Sequence, residues 1–392
     1  MPGGWPREAG MRDCRVVIVA DDLTGALDAA APFAGRGART RVVVSPADLA
    51  AVLDDAGDGE VLAVNTETRH ASAAEAAERV AGVFTAVRAL SPALMIKKID
   101  STLRGHVVVE SLAARRTLGR PLVVAPAVPS QGRTVRHGRV QVHGRALAES
   151  DFARDARSAP PDGALPELFA AAGLTMVCRG ADDTRLDGDV VWDAEDEAAL
   201  EALAEAQETA PAPVLLVGAA GLCQALARRH FRGQGPALSP GGNWLLVVGS
   251  RCEQARRQMA RLRESQGSWR EAEAPAVQPP PQGWQGATLL RPGPVGPEWT
   301  ADDVARALAV QAQAWLTRAA SPPWLFLTGG DTATALLQQR GVRVIEVAGE
   351  REPGVAWGWL DGERRQPVVT KAGGFGDDDL LVRLLAASTT RG

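Results

Sequence analysis

The sequence predicts an α/β protein of two domains, each a mostly parallel sheet flanked by helices. Its 392 residues exceed what one hydrophobic core usually supports, which favours two domains. Short runs of β-branched residues alternate with alanine-rich stretches of helical spacing, a pattern typical of parallel sheets covered on both faces. With 45% hydrophobic and 23% charged residues, the composition is that of an ordinary folded protein.

The first domain is predicted over residues 13–235. Residues 1–12 are expected to form a disordered leader, and either Met1 or Met11 can be the start of translation. Helical spacing predicts helices over residues 73–90 and 194–208. Strands are predicted over residues 16–20, 40–44, 61–65, 94–99, 122–125, 175–179, 190–193 and 214–218.

A linker is predicted at residues 236–243, within a stretch rich in glycine and proline that begins at residue 233. The second domain then covers residues 244–392. Its middle, residues 274–297, is rich in proline and is expected to form long loops around one short strand. Further strands are predicted over residues 244–249, 324–328, 344–347 and 367–370.

Charge and cysteine content exclude several classes of function. The formal net charge is −4, and the basic runs typical of proteins that bind nucleic acid or anionic membranes are absent. No apolar stretch approaches membrane-spanning length. Motifs of P-loop sites, dinucleotide folds, zinc proteases and nucleophile-elbow hydrolases are also absent. A cytoplasmic protein is expected, because a reducing compartment suits four cysteines without a C-x-x-C pair, Cys14, Cys178, Cys223 and Cys252.

Two acidic residues follow the first predicted strand, in the motif A-D-D-L-T-G-A. Ligands of open α/β sheets bind at the carboxyl ends of strands, where Asp21 and Asp22 are expected to lie. One carboxylate is expected to cap the helix that begins near Leu23. Two carboxylates exceed what a cap needs, so we predict that Asp22 orients or deprotonates a hydroxyl.

Two loops are expected to bring basic groups to the same edge. The motif N-T-E-T-R-H, residues 65–70, places Arg69 where it can bind a carboxylate or phosphate oxygen, with a solvated loop arginine as the alternative. Residues 125–138 contain glycines that let a loop fold closely over a ligand. A mobile basic loop without a role is the alternative there. The residues of this loop expected to reach the site are Gln131, Gly132, Arg133 and Thr134.

The motif I-K-K-I-D-S-T-L-R-G contains two of only three lysines among the 43 basic residues. Strand alternation puts Lys98 and Asp100 on one face and Lys97 on the other. Either hydroxyl residue after Asp100 is expected to cap the next helix, whose first turn then carries Arg104. A helix N-terminus already favours anions. A functional site is therefore favoured over its alternative, a structural ion-pair cluster.

Three glycine loops follow three predicted strands of the second domain. They are V-V-G-S-R at residues 247–251, F-L-T-G-G-D-T-A at residues 326–333 and V-T-K-A-G-G-F-G at residues 369–376. Successive free N–H groups in such loops form an anion site for phosphates. On one sheet edge with Lys371, the three loops together predict a nucleotide site.

In order along the chain, these motifs resemble those of the four-carbon acid sugar kinases. The resemblance implies an N-terminal domain that binds a tetronic acid such as threonate, erythronate or 3-oxo-tetronate, and a C-terminal domain that binds ATP. It departs from the family pattern at His106 and Asn65 and around Cys252. The implied acid-sugar contacts are Asp22, Arg69, Lys98, Ile99, Asp100, Ser101 and Arg104. The implied nucleotide contacts are Ser250, Gly329, Gly330, Asp331, Thr332, Lys371, Gly373, Gly374, Phe375 and Gly376.

The predicted function is therefore an ATP-dependent kinase that phosphorylates the 4-hydroxyl of a four-carbon sugar acid. We expect Asp22 or Asp100 to orient the hydroxyl, Lys98 to offset negative charge, and Mg²⁺ to bridge the phosphates. No protein ligand is assigned to the metal. The domains are expected to close about the linker. A metal-dependent phosphosugar hydrolase and a non-catalytic sensor of sugar acid and nucleotide are the alternatives, and a homodimer is possible.

Overall fold

The computed structural model describes residues 16–55, 60–154, 159–275, 279–361 and 366–386. Over these ranges the chain is an α/β protein with a large, mostly parallel sheet and flanking helices, which confirms the predicted fold class. The expected leader at residues 1–12, with both candidate start sites, lies outside the described residues.

Every strand predicted from the sequence overlaps an observed one. The strands of the N-terminal half are β1 (Val16–Ala20), β2 (Thr40–Val43), β3 (Val61–Asn65), β4 (Leu94–Lys98), β5 (Leu122–Ala125), β6 (Arg133–Arg136), β7 (Arg139–Val142), β8 (Arg145–Ala146), β9 (Val177–Arg179), β10 (Val190–Trp192) and β11 (Leu215–Gly218). Those of the C-terminal half are β12 (Trp244–Val248), β13 (Trp269–Ala274), β14 (Ala287–Pro292), β15 (Trp324–Thr328), β16 (Val344–Glu352), β17 (Val355–Leu360) and β18 (Gln366–Lys371).

The helices cover the sheet, and α1 lies deepest among them. Twelve of its residues are buried, and five of these are alanine, whose small side chains let the helix approach the strands closely. The two predicted helices correspond to α3 and α6. The helices are α1 (Leu23–Gly35), α2 (Leu49–Asp54), α3 (Ala73–Val87), α4 (Val107–Leu118), α5 (Leu165–Ala171), α6 (Glu197–Ala206), α7 (Ala220–His230), α8 (Glu253–Glu264), α9 (Ala301–Arg318), α10 (Gly330–Gln339) and α11 (Leu380–Ala386).

One sheet runs through both halves of the described chain. Its strand order is β13-β14-β12-β15-β18-β17-β16-β2-β3-β1-β4-β11-β5-β10-β9. The strands of each half pair in parallel, whereas β16 pairs antiparallel with both β2 and β17, and β17 pairs antiparallel with β18. The parallel strands of the N-terminal half therefore run in the opposite direction to the parallel strands of the C-terminal half.

Sheet twist brings the carboxyl ends of these opposed strands to the same side. Six strand-to-strand steps separate β1 from β15. At about 20–25° for each step, the twist between them amounts to about 120–150°. This rotation offsets most of the reversal that the antiparallel strands introduce, so the loops that follow β1 and β15 face one space.

Three further strand segments were not predicted from the sequence. β13 has the polar sequence W-R-E-A-E-A and lies at the edge of the sheet, where pairing with β14 stabilises it. β17 forms a hairpin with β16. The third segment is the small antiparallel sheet β6-β7-β8, which replaces the loop expected at residues 125–138.

Candidate functional site

Strand register gathers the predicted motifs at two places on the sheet. In the N-terminal half, Ala20 is in register with both Asn65 and Lys98, so the segments that follow β1, β3 and β4 emerge side by side. In the C-terminal half, Thr328 is in register with Val248 and Lys371. The three glycine loops therefore also emerge side by side.

A cavity of about 1200 Å³ lies between these two groups of loops. Fourteen of the predicted site residues line it, from both halves of the chain. Ile99, Lys371 and Gly376 are not among its lining residues in the described ranges. The predicted residues that do line it are Asp22, Arg69, Lys98, Asp100, Ser101, Arg104, Ser250, Gly329, Gly330, Asp331, Thr332, Gly373, Gly374 and Phe375.

The two adjacent aspartates divide their roles differently from the expectation. Asp22 is the helix cap, because its Oδ1 accepts the Gly25 N–H at 2.9 Å. Asp21 forms a buried bidentate pair with Arg69, with Nε–Oδ2 at 2.8 Å and Nη2–Oδ1 at 2.9 Å. Arg69 Nη2 also lies 2.9 Å from Asp22 Oδ1. The cap and the cavity-facing carboxylate are thus the same residue, and Arg69 fixes both aspartates.

The adjacent lysines lie in different environments. Lys97 is fully buried, and its Nζ lies 2.6 Å from Glu110 Oε2 on α4. Lys98 lines the cavity, with Nζ donating to the Ile99 carbonyl at 3.1 Å and lying 3.8 Å from Asp28 Oδ2. Asp28, on α1, was not predicted from the sequence, because nothing in an alanine-rich helix marks one aspartate as part of a site.

Asp100 is held by a turn and not by a helix. Its Oδ1 accepts the Thr102 N–H at 3.0 Å, and its Oδ2 accepts from Arg104 Nε. The expectation that the next helix begins here is wrong, because Leu103 and Gly105 have φ values of +58° and +82°, which no helix contains. The helix α4 begins at Val107, so Arg104 belongs to this turn.

Buried charges shift the pKa values of the acidic groups in opposite directions. Burial alone would raise the pKa of Asp21 and Asp100, but the charge of Arg69, joined at Asp100 by Arg104, holds both below the usual range. Burial raises the pKa of Asp28 to about 6 in spite of Lys98. At neutral pH, Asp21 and Asp100 are therefore ionised. The pKa of Asp28 lies close enough to neutral pH for part of this carboxylate to be protonated.

The small sheet β6-β7-β8 carries Arg133 to the cavity. Each of its two turns is a His-Gly pair with positive φ, +50° and +69° at His137 and Gly138, and +50° and +75° at His143 and Gly144. Both central residues of a two-residue hairpin turn of this kind need positive φ. The two His-Gly pairs, which are flanked by alternating polar and apolar residues, are the sequence signal from which the two turns of this small sheet could have been predicted.

The glycine loops of the C-terminal half fit closely against one another. A Cβ atom on Gly329, whose φ is +101°, would lie 2.9 Å from Ser250 N, and one on Gly373 would lie 3.2 Å from Ser250 Oγ. The expectation of free N–H groups is wrong for the first loop, because Gly249 N and Ser250 N both donate to the Thr328 carbonyl. The first turn of α10, at Gly330, stays a predicted anion-binding element, because the first N–H groups of a helix have no partner within it.

Lys371 supports the third glycine loop from behind. Its side chain is fully buried, and its Nζ donates to the carbonyls of Gly373 and, at 3.2 Å, Phe375. Burial lowers the pKa of Lys371 to about 8. Its ammonium group therefore supports the loop, and Gly373, Gly374 and Phe375 of the loop line the cavity.

The nucleotide side also has an apolar wall that the sequence did not predict. Helix α9 contributes small side chains to the cavity, and an amphipathic helix of this kind has no distinctive motif. The apolar residues concerned are Ala301, Val304, Ala305, Ala309 and Val310, and the charged Asp302 and Arg306 of the same helix line the cavity beside them. A wall of this kind suits the flat face of an aromatic base.

The two halves of the cavity meet at Asp22. A Cβ atom on Gly330, in the first turn of α10, would lie 3.3 Å from Asp22 Oδ2. A carboxylate of the N-terminal half thus faces the anion-binding helix end of the C-terminal half. No group of three or more His, Cys, Asp or Glu side chains that could hold a metal ion lies within the described residues.

Comparison with known proteins agrees with this division. The family model described as a sugar-binding N-terminal domain matches residues 16–226, more than half of the chain. The model described as a nucleotide-binding C-terminal domain matches residues 292–381. A D-threonate kinase of Bordetella bronchiseptica is 35% identical, with 95% of this chain and 97% of that protein covered.

The chain belongs to the four-carbon acid sugar kinase family. Its members include a D-threonate kinase of Cupriavidus necator, 35% identical over 95% of this chain and 98% of that protein. A D-erythronate kinase of Heliobacterium modesticaldum is 27% identical over 93% of this chain and 94% of that protein. Like these acid sugar kinases, the protein is an ATP-dependent kinase, which confirms the reaction class predicted from the sequence.

Two solved structures resemble this acid sugar kinase. A Salmonella typhimurium LT2 protein has a TM-score of 0.75 at 21% identity, with 94% of this chain and 98% of that chain covered, and shares the fold. A Bordetella bronchiseptica protein crystallised with bound citrate as a domain-swapped dimer has a TM-score of 0.50 at 31% identity, with 96% and 98% covered. No helix among the described residues is long and apolar enough to cross a membrane.

Proposed function

We propose that this kinase transfers the terminal phosphoryl group of ATP to the 4-hydroxyl of a four-carbon sugar acid, with D-threonate as the preferred acceptor. The observation that carries the proposal is the shared cavity, in which Asp22 faces the first turn of α10. The D-threonate kinases at 35% identity are more similar to this chain than the D-erythronate kinase at 27%.

The basic groups of the N-terminal half are suited to an acidic substrate. Arg104 lines the cavity and its side chain is 32% exposed, so its guanidinium is accessible to a ligand while Asp100 holds it in place. A guanidinium binds a carboxylate with two parallel hydrogen bonds, which fixes its orientation. We assign the sugar carboxylate to Arg104, with the adjacent Ser101 hydroxyl as a further contact.

Asp22 is the better candidate than Asp100 for orienting the acceptor hydroxyl. In spite of burial, the charges of Arg104 and Arg69 hold the pKa of Asp100 below its usual range, which makes it a poor base. Asp22 Oδ2 lies next to the α10 turn, where the phosphates of ATP are expected. Phosphoryl transfer depends mainly on such positioning and on charge stabilisation, for which Lys98 supplies an ammonium group.

The C-terminal half is suited to ATP with Mg²⁺. The α9 wall would contact the base, and the α10 turn with the third glycine loop would bind the phosphates. Mg²⁺ is usually held by one or two carboxylates and the substrate phosphates, and the carboxylates of Asp22 and Asp331 both line the cavity. Mg²⁺ held by these carboxylates would offset the negative charge of the phosphates.

The test is ADP release measured with D-threonate, L-threonate, both erythronates and 3-oxo-tetronate, with ³¹P NMR to locate the phosphate on the product. We expect D-threonate 4-phosphate as the main product. Asp22→Asn and Lys98→Ala are each expected to reduce turnover by about 100-fold or more. The proposal fails if no acid stimulates ADP release, if the phosphate is on another hydroxyl, or if both variants keep near-normal turnover.

A cytoplasmic homodimer completes the proposal. The similar Bordetella bronchiseptica protein is a domain-swapped dimer, and the described cysteines Cys178, Cys223 and Cys252 are free, which suits a reducing compartment. Light scattering after size-exclusion chromatography is expected to give twice the mass of one chain. A mass of one chain at micromolar concentration would contradict the dimer.

A further inference from the structure

Arg133 is a buried arginine at the boundary between the two halves. It begins β6, is 8% exposed and lines the shared cavity. Its guanidinium carbon lies 5.5 Å from the centre of the Phe152 ring and 5.5 Å from the centre of the Phe375 ring. Phe152 belongs to the N-terminal half and Phe375 to the third glycine loop, so one guanidinium lies over an aromatic ring of each half.

Arg133 forms no ion pair with a carboxylate within the described part of the chain, whereas Arg69 and Arg104 each pair with an aspartate. Its Nη1 donates to Gln131 Oε1, and its Nε has no hydrogen-bond partner within the described ranges. A buried guanidinium without an anion is costly, and an anionic ligand would remove this cost.

The position of Arg133 indicates which anion this is. Asp100 and Asp28 of the N-terminal half are close enough to act on its pKa, which burial lowers, and Phe375 is part of the nucleotide side. Arg133 therefore lies between the groups assigned to the sugar acid and those assigned to the phosphates of ATP. The anion that occupies this intermediate place in a kinase is the phosphoryl group in transfer.

We propose that Arg133 is a catalytic residue that binds the phosphoryl group as it passes from ATP to the acceptor hydroxyl. The inference rests on the proposed function. The contact with Phe375 makes the position of Arg133 depend on the third glycine loop.

The charge of Arg133 does not change during phosphoryl transfer. A bond forms between the acceptor oxygen and phosphorus while the bond from phosphorus to the bridging oxygen of ADP breaks. The electron pair of the broken bond remains on ADP, and the acceptor proton leaves to the Asp22 carboxylate. Arg133 keeps its protons and donates hydrogen bonds to the phosphoryl oxygens, whose charge it offsets.

The test compares Arg133→Ala and Arg133→Lys with Arg136→Ala. Arg136 lies on the same strand, but its side chain is 57% exposed and pairs with Glu195 at the surface at 3.5 Å. We expect Arg133→Ala to lower kcat by about 100- to 1000-fold, with KM for the sugar acid changed by less than about threefold. Arg133→Lys is expected to recover little, and Arg136→Ala to stay within about twofold.

Three readouts separate a catalytic role from a structural one. Guanidinium chloride at about 50 mM is expected to restore kcat of Arg133→Ala by about tenfold, with no gain in Arg136→Ala. The affinity for ADP alone and the thermal midpoint of Arg133→Ala are expected to match those of the wild type. Phe375→Leu is expected to lower kcat in the wild type but not in the Arg133→Ala background, because the two residues act as a unit.

Each contrary result has a distinct meaning. A rise in KM for the acid at unchanged kcat would assign Arg133 to the sugar carboxylate and overturn the inference. A loss of activity that follows a lowered thermal midpoint, without rescue, would show a structural role and also overturn it. If the wild type itself phosphorylates none of the acids, the proposed function fails. If the wild type is active and Arg133→Ala equals it, only the inference fails.

Discussion

Replacing Asp28 with asparagine is expected to stabilise the protein at neutral and alkaline pH. Asp28 is 5% exposed, and its Oδ1 has no hydrogen-bond partner among the described residues. Burial raises its pKa from 3.8 to about 6, aided by the like charges of Asp22 and Asp100 and opposed by Lys98 and Arg133. The ionised carboxylate is therefore less stable in the folded protein than in the unfolded chain.

The sign of the pH dependence follows from this rise in pKa. Between about pH 4 and pH 6 the unfolded chain loses the Asp28 proton while the folded protein retains it, so stability falls as the pH increases. A tenfold difference in proton affinity corresponds to about 1.4 kcal/mol. The rise of the Asp28 pKa from 3.8 to about 6 therefore lowers the free energy of unfolding by about 3 kcal/mol above pH 6. Asparagine carries no charge. Asp28→Asn should thus stabilise by about 3 kcal/mol at pH 8 and about half of this at pH 5.

Urea unfolding followed by tryptophan fluorescence measures this effect at pH 5 and pH 8. The matched control is Asp182→Asn, because Asp182 is exposed and lies far from α1 in the sequence. The control is expected to change stability equally little at both pH values. The reasoning is refuted if Asp28→Asn destabilises the protein at pH 8, or if its effect is the same at the two pH values.

Two further predictions concern buried contacts. Lys97→Met leaves Glu110 buried without its partner, so urea unfolding should show a loss of about 3–5 kcal/mol, which the double variant with Glu110→Met largely restores. Gly249→Ala places a methyl group against the Thr332 hydroxyl, so KM for ATP should rise about tenfold. Gly82→Ala on the exposed side of α3 should leave KM unchanged. The first expectation is contradicted if Lys97→Met is as stable as its double variant with Glu110→Met. The second is contradicted if Gly249→Ala and Gly82→Ala have the same KM for ATP.

Much of the site could be predicted because its residues lie next to strand ends. Strand periodicity located β1, β4 and β15, and the polar residues that follow a strand lie at the carboxyl edge of the sheet. The division of roles within a motif could not be predicted in the same way. Asp21 forms the bidentate pair with Arg69 while Asp22 caps α1 and contacts the same guanidinium with one oxygen, because a side chain from another loop lies between two similar carboxylates.

Site residues without a local sequence pattern could not be predicted. Asp28 lies in an alanine-rich helix, and it becomes part of the site only because its carboxylate lies close to Lys98 at the end of β4. The N–H groups of Gly249 and Ser250, which were expected to be free, are occupied, because strand pairing with Thr328 continues one step beyond β12. Contacts of this kind depend on residues far apart in the chain, which no short window of sequence contains.

The sequence by itself determined the α/β class, the strands that carry the motifs and the chemistry of the motifs, since periodicity and turn residues act locally. Only the tertiary structure decided how the halves are joined. The antiparallel strands β16 and β17 connect the halves into one sheet, and its twist turns the carboxyl ends of opposed strands toward one cavity. The approach of Asp22 to Gly330 results from that rotation, because twist accumulates over many strands and has no signature in any one of them.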